Sequence, residues 1–382
     1  MNIQENRRIS TMAIHKRTWT LPDGSKKSAW RVAYRDQTGS RRTKQFAKKK
    51  AAEDWLNNAT HEVKHGVHTP DSTSITVSAA AENWLKAVEA NKREPTTIAA
   101  YGQHVRLHIV PKCGSRKLSQ LTAPEVKRLL DDWLLHLSRP MAVRVLRSLK
   151  AILAEAQASG QVAQNVALAI KPRKVTRERG KAVPPPKTAL RAILKAAEAS
   201  DDMKGRTALE VVIFTGLRAS ELRGLSWPSV DLNHGRVTVE QRADAGGIIG
   251  PPKSEAGRRT IALPARVVTQ LKAWKLACKP SGLDLVFPSE NGKPISHRVL
   301  MVNHVAPIII AAKSGTFGLH AFRHAAASLW IEQGLNPKRV QTLMGHSSIQ
   351  VTFDTYGHLF EQLQKDADDA AAIERALFAE GA

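Results

Sequence analysis

Residues 318–358 read GLHAFRHAAASLWIEQGLNPKRVQTLMGHSSIQVTFDTYGH, and the architecture of the chain is best approached outward from them. His320, Arg323 and His324 stand three and four apart, the spacing that gathers side chains on one face of a helix. His346 follows in LMGHSS and Tyr356 in TFDTYGH. A zinc site is not indicated: between His320 and His324 the second position is Ala321, where a metallohydrolase has Glu, and no clear third ligand follows. The stretch closes a segment of mixed type. Helix-like runs over 188–199 and 207–214 precede a break at Thr215-Gly216-Leu217, and a helix starts near Ser220. Strand-like runs cover 236–240 and 260–263, and helices return from about Ser296.

Charge narrows the partner. The 382 residues carry 58 Lys and Arg against 34 Asp and Glu, a net +24. Such an excess repels itself unless it meets a polyanion, with nucleic acid first and an anionic membrane surface second. Apolar runs near 208–217 and 305–312 fall far short of the ~20 residues a spanning helix needs. A soluble, cytoplasmic protein is expected. Cys113 and Cys278 form no CxxC pair, so neither a disulfide framework nor a thiolate zinc site is suggested. The excess is spread as +9 over residues 1–70, +10 over 71–182 and +5 over 183–382, which suits a chain that wraps its partner. From Glu361 onward the net charge reverses to −4, and Ile373, Leu377 and Phe378 share a helical face, an acidic segment suited to docking on a basic neighbour.

Upstream the pattern divides into further domains, giving a multi-domain fold. In 1–70, Trp30, Val32 and Tyr34 alternate with Arg31, Ala33 and Arg35, the period of a strand, with turns at Pro22-Asp23-Gly24 and Asp36–Gly39 and another strand over Arg41–Phe46. Ala52, Trp55, Leu56, Ala59 and Val63 then mark a helix. A small three-stranded β-sheet packed on a helix follows, with Arg31, Arg35, Arg42 and Lys44 as candidates for a DNA-facing surface. Residues 75–170 are predicted all-α, about four helices. One of them stops before Pro111, and another opens with the capping box Thr122-Ala-Pro-Glu125. Residues 171–187, KPRKVTRERGKAVPPPK, read as a basic linker in which Lys171, Arg173 and Lys174 can track a phosphate backbone. Residues 188–382 form the third domain, mainly α with a small β-sheet.

The chemistry of that domain follows from what it lacks and what it gathers. There is no GxxxxGK[ST] and no GxGxxG after a strand, so nucleotide-driven chemistry is discounted. Arg218 lies in TGLRASEL and Lys253 in GPPKSEAGRRTIAL, ahead of His320, Arg323, His346 and Tyr356. Singly, each has an ordinary explanation: a helix end, a turn lysine, a buried histidine, a half-buried ring. In this order they make a set. Attack on a phosphodiester adds negative charge to the nonbridging oxygens, which preorganised cations stabilise as a metal would elsewhere. A phenol of pKa about 10 needs a cationic neighbourhood or a base to attack, and a lysine of lowered pKa can protonate a leaving 5′ oxygen. Of the three tyrosines, Tyr34 lies on a strand's apolar face and Tyr101 on a helix's apolar stripe, leaving Tyr356 beside the motifs.

On these residues, 207–360 resembles the catalytic domain of the tyrosine recombinase (phage integrase) family. TGLRASELRGL is similar to its first arginine box, and residues 318–359 to its second. The resemblance implies that Arg218 and Arg323 clamp the scissile phosphate with His320 and His346 assisting, that Lys253 is the general acid and Tyr356 the nucleophile, and that Glu221 orients an arginine. It implies a site-specific recombinase that forms a covalent 3′-phosphotyrosyl intermediate, needs no cofactor, and works as a homotetramer on double-stranded DNA with a possible accessory DNA-bending protein. Residues 76–170 resemble the family's core-binding domain and 14–65 its AP2-like arm-binding domain. Ala321 and Ala325 depart from the usual Asp and Thr, and Met344 from a usual Leu. The competing readings are a type IB topoisomerase and a non-catalytic DNA-binding regulator that keeps the fold.

Overall fold

Two tight turns let the N-terminal segment fold back on itself twice. In the computed structural model, which describes residues 13–91, 93–173 and 184–361, β1 (Ala13–Thr20), β2 (Lys26–Arg35) and β3 (Arg41–Phe46) form an antiparallel sheet in sequence order. The Asp36 carboxylate closes the second turn by accepting the backbone N–H groups of Thr38 and Ser40, each at 3.0 Å. The helix Lys49–Lys64 covers one face and buries Ala52 and Ala59. Trp55 of this helix meets Tyr34 edge-on at 5.1 Å. His68 then lies between the Tyr34 hydroxyl (2.9 Å) and Glu62 (2.8 Å), so three successive pieces of chain are joined by one buried imidazole.

The chain divides into two units, Met1–Thr176 and Arg177–Ala382. The first also contains the helical segment. Its helices Val77–Ala90, Ala123–His136 and Arg139–Ala158 enclose a core of Trp84, Ile109, Leu130, Trp133, Leu149 and Leu153. Thr122 and Glu125 make the expected capping box, with the Thr122 N–H donating to Glu125 Oε2 at 3.0 Å. The helix expected to stop before Pro111 instead continues to Cys113 through a π turn over Val105–Ile109. A proline lacks the N–H for the i−4 bond and its ring crowds that carbonyl, and the wider turn relieves both. The same device recurs at Leu300–Val305, just before Pro307.

In the second unit the helix Met203–Thr215 is buried along nearly its whole length and packs on Lys187–Glu198, Ala265–Ala277 and Leu319–Glu332. A three-stranded sheet of Val230–Asp231, Arg236–Val239 and Arg259–Ala262 contributes Val237, Val239 and Ile261 to the same core. Ile213, Leu217, Phe287 and Phe322 centre the main core, and a smaller cluster of Ala327, Ile331, Val340, Met344 and Tyr356 joins the last three helices. No described helix is long and apolar enough to cross a membrane.

Candidate active site

Two helix stops build the site. Met203–Thr215 ends at Gly216 (φ 59°) and Pro337–Met344 at Gly345 (φ 63°), both in the left-handed region where a glycine costs little. A helix end leaves carbonyls without partners, and here they accept from guanidiniums. The Gly216 carbonyl accepts from Arg323 Nη1 at 2.6 Å. At the other stop three consecutive carbonyls each take a different arginine: Leu343 from Arg259 Nε (2.6 Å), Met344 from Arg323 Nη2 (2.5 Å) and Gly345 from Arg218 Nη2 (2.8 Å). The negative end of the helix dipole faces the same cations, so the backbone helps to draw three positive charges together.

Carboxylate support comes from Glu221. It stands at the third position of the short helix Ala219–Gly224 and accepts the backbone N–H of Arg218 at 2.9 Å. Its two oxygens also accept Arg218 Nη1 (2.7 Å) and Arg259 Nη2 (2.8 Å). Burial alone would raise its pKa, but the Arg259 hydrogen bond and charge, followed by Arg218, pull it down to about 2. Arg323 is 2% exposed. Burial and then the charge of Arg218 lower its pKa to about 9, which leaves it a cation at neutral pH.

Two imidazoles of the site are shifted toward their neutral form. His346, bonded through Nδ1 to Thr352 Oγ1 at 3.0 Å, is lowered to about 4 by burial and then by Arg323 and Arg218. His320 keeps a face open to solvent, yet the protein packed around it and the charges of Arg323 and Arg218 hold it below the ordinary histidine value. Lys253 is exposed in the loop between the short strand Ile249–Gly250 and the turn Glu255–Gly257.

Tyr356 is 3% exposed on the helix Ile349–Glu361. Its hydroxyl meets His324 Nδ1 at 2.8 Å. The cationic neighbourhood expected to favour the phenolate is present as Arg323, but burial outweighs it and raises the phenol to about 12. The other two tyrosines pack within the first unit, as the strand and helix patterns imply: Tyr34 is 3% exposed and bound to His68, and Tyr101 packs on the Trp84 ring at 4.8 Å.

The structure therefore brings Arg218, Glu221, His320, Arg323, His346 and Tyr356 to the elements around Gly216 and Gly345. Two contributors escaped sequence reading. Arg259 carried a signal, since it shares the strand phase of Ile261 and an arginine in a buried phase demands a partner. His324 was visible only as half of a metal pair, and no group of His, Cys, Asp or Glu among the described residues could hold a metal.

The four residues expected on one DNA-facing surface, Arg31, Arg35, Arg42 and Lys44, do not share a face of the N-terminal sheet. Val32 pairs with Lys44 and Tyr34 with Arg42, so Arg42 and Lys44 lie on the apolar, helix-facing side, whereas Arg31 and Arg35 lie on the other with Arg41. Lys44 pairs with Asp71 at 2.6 Å and lies 4.8 Å over Trp55, and Arg42 pairs with Asp36 at 2.8 Å. Lys171 and Arg173 are exposed. Lys174 and the acidic segment beyond Glu361 lie outside the described residues.

Comparison with known proteins places the chain among integrases and tyrosine recombinases in similarity. The phage integrase family model matches residues 186–362 and the phage integrase central domain model residues 77–172. An integrase of Streptomyces ambofaciens is 28% identical over 339 residues, covering 81% of this chain and 82% of that one. Tyrosine recombinase XerC of Xanthomonas campestris pv. campestris (strain B100) is 29% identical over 262 residues, 67% of this chain and 76% of its own. The fold matches the Tn1549 transposon integrase in complex with a circular intermediate DNA (TM-score 0.66, 21% identity, 79% of this chain and 100% of that one). It also matches a lambda integrase tetramer bound to a Holliday junction (TM-score 0.55, 20% identity, 87% and 95%).

Proposed function

The chain belongs to the phage integrase family of tyrosine recombinases, and from that premise we propose that Arg218, Lys253, His320, Arg323, His346 and Tyr356 cut and rejoin DNA strands. The enzyme is a site-specific recombinase that acts on double-stranded DNA. The Tyr356 oxygen attacks the scissile phosphorus and releases its phenolic proton to water, and the bond to the 5′ oxygen breaks as Lys253 supplies a proton to that leaving oxygen. A 3′-phosphotyrosyl ester remains. A 5′ hydroxyl from the partner strand reverses the step, so each phosphodiester is exchanged for another and neither ATP nor a metal is required. Arg218 and Arg323 neutralise the nonbridging oxygens, and His320 and His346 donate hydrogen bonds to them. Glu221 holds Arg218. The observation that carries this reading is the pair of adjacent carbonyls, Met344 and Gly345, that fix Arg323 and Arg218 beside one another.

The wider organisation is part of the same reading. Residues 1–70 form the arm-type DNA-binding domain, 75–170 the core-binding domain, 171–187 the basic linker and 188–382 the catalytic domain with its acidic tail. The protein assembles as a tetramer on two duplexes in the cytoplasm, an arrangement that the tetrameric lambda integrase complex supports. The test is excision between two directly repeated attachment sites, taken from the junctions of the element that encodes the chain and placed on a plasmid. Circular product in EDTA without ATP is expected from the wild type and none from Tyr356→Phe. Product from the Phe variant would sink the assignment.

A further inference from the structure

His324 is the residue that the reaction scheme leaves unused and the geometry does not. It follows Arg323 directly on the helix Leu319–Glu332, and its Nδ1 lies 2.8 Å from the Tyr356 hydroxyl. We infer that His324 is a positioning residue for the reacting phenol: its ring nitrogen accepts the Tyr356 O–H and sets where that oxygen stands before attack. The inference rests on the reading of Tyr356 as nucleophile.

The direction of the bond follows from bookkeeping of one proton. Tyr356 is 3% exposed, and among the described residues its hydroxyl has no other hydrogen-bond partner. If Nδ1 were the donor, the phenolic hydrogen would be buried without an acceptor, at the full cost of desolvation. The phenol therefore donates and Nδ1 accepts. The ring that accepts is itself fixed. His320 meets it edge-on at 4.4 Å and 78°, and the Ser328 hydroxyl donates to its backbone carbonyl at 3.1 Å.

Holding, and not proton removal, is the role these surroundings support. Burial first, and then His320 and Arg323 on the same helix, disfavour an imidazolium at position 324. Burial likewise keeps the proton on the phenol. A cavity of about 230 Å³ lined by Pro184, Ser328, Asp354 and His358 adjoins the pair.

The test is single-turnover formation of the covalent adduct on a nicked half-site substrate, from which the short 5′ fragment diffuses away. His324→Ala should slow the adduct about ten- to a hundredfold, the scale for losing a buried hydrogen bond and the alignment it gives. Half-site binding by gel shift should stay within about twofold, since only the phenol's partner is lost. His324→Asn places an oxygen where Nδ1 stands and should recover most of the rate with an unchanged pH–rate profile. His324→Gln, whose oxygen reaches the Nε2 position, should not. Wild-type rates in the Ala variant, or equal rates in the Asn and Gln variants, would overturn the inference. An Asn variant as slow as Ala would overturn it in favour of a general base. Tyr356→Phe runs beside them: adduct from that variant condemns the nucleophile itself, whereas its absence with a fast Ala variant condemns only His324.

Discussion

Arg259 and Glu221 form a pair in which Nη2 and Oε2 are 2.8 Å apart and neither side chain is more than 3% exposed. The carboxylate that braces Arg218 is thus itself braced by a cation from the strand Arg259–Ala262. Arg259→Ala removes that partner from a buried charge and should cost about 3–5 kcal/mol. Denaturant unfolding will read it, with the cleavage rate falling beside it as Arg218 loses its support. Arg259→Lys keeps the charge but not the fork, which here bonds Leu343, Gly257 and Glu221, and should recover only part of the loss.

Acid should expose the same network. The Glu221 carboxyl, ordinarily near 4.5, is held at about 2, chiefly by Arg259 against the opposing effect of burial. A depressed carboxylate contributes stability that is full above its unfolded value and is lost as pH falls from about 4.5 toward 2. The linkage is worth about 3 kcal/mol. Glu221→Gln should lower stability at neutral pH and flatten this acid limb. A Gln variant whose stability falls between pH 5 and 2 as steeply as the wild type would place the acid sensitivity elsewhere.

Gly345 allows no side chain. A Cβ there would lie 2.9 Å from Arg259 Nη1 and 3.0 Å from the Ala256 carbonyl, on a backbone with φ of 63°. Gly345→Ala should cost about 1–3 kcal/mol and slow cleavage by displacing the carbonyl that holds Arg218. A thermal melt and a single-turnover assay read the two effects separately.

The register of the N-terminal sheet separates two kinds of basic residue. Arg31, Arg35 and Arg41 lie exposed on one face, whereas Lys44 is paired with Asp71. Replacing each exposed arginine by Ala should weaken arm-site binding and reduce the slope of log affinity against log salt by about 0.9 for every phosphate left without its cation. Lys44→Ala should leave that slope unchanged and lower stability by about 1 kcal/mol. Equal salt slopes for Arg31→Ala and Lys44→Ala would contradict the division.

What could be read from sequence was local, and what could not was tertiary. The capping box at Thr122 and Glu125, the alternation around Val32 and the helix stop at Gly216 are each written within a few residues. The order of Arg218, Lys253, His320, Arg323, His346 and Tyr356 was legible because its residue types fit one chemistry, but the position of Lys253 relative to the others was not. The faces of Arg42 and Lys44 depended on pairing with β2, which only the folded sheet fixes. Pro111 looked like a helix end because a π turn leaves no mark in composition. Arg259 and His324 gained their meaning from Leu343 and Tyr356, 84 and 32 positions away.

The most direct measurement is mass spectrometry of the covalent species. Wild-type protein trapped on a nicked attachment site, digested with nuclease and protease, should give one peptide containing residues 351–359 with a nucleotide linked through its 3′ phosphate to Tyr356. No such peptide should arise from Tyr34 or Tyr101. A nucleotide on any other side chain, or cleavage that proceeds with no protein–DNA ester, would contradict the account.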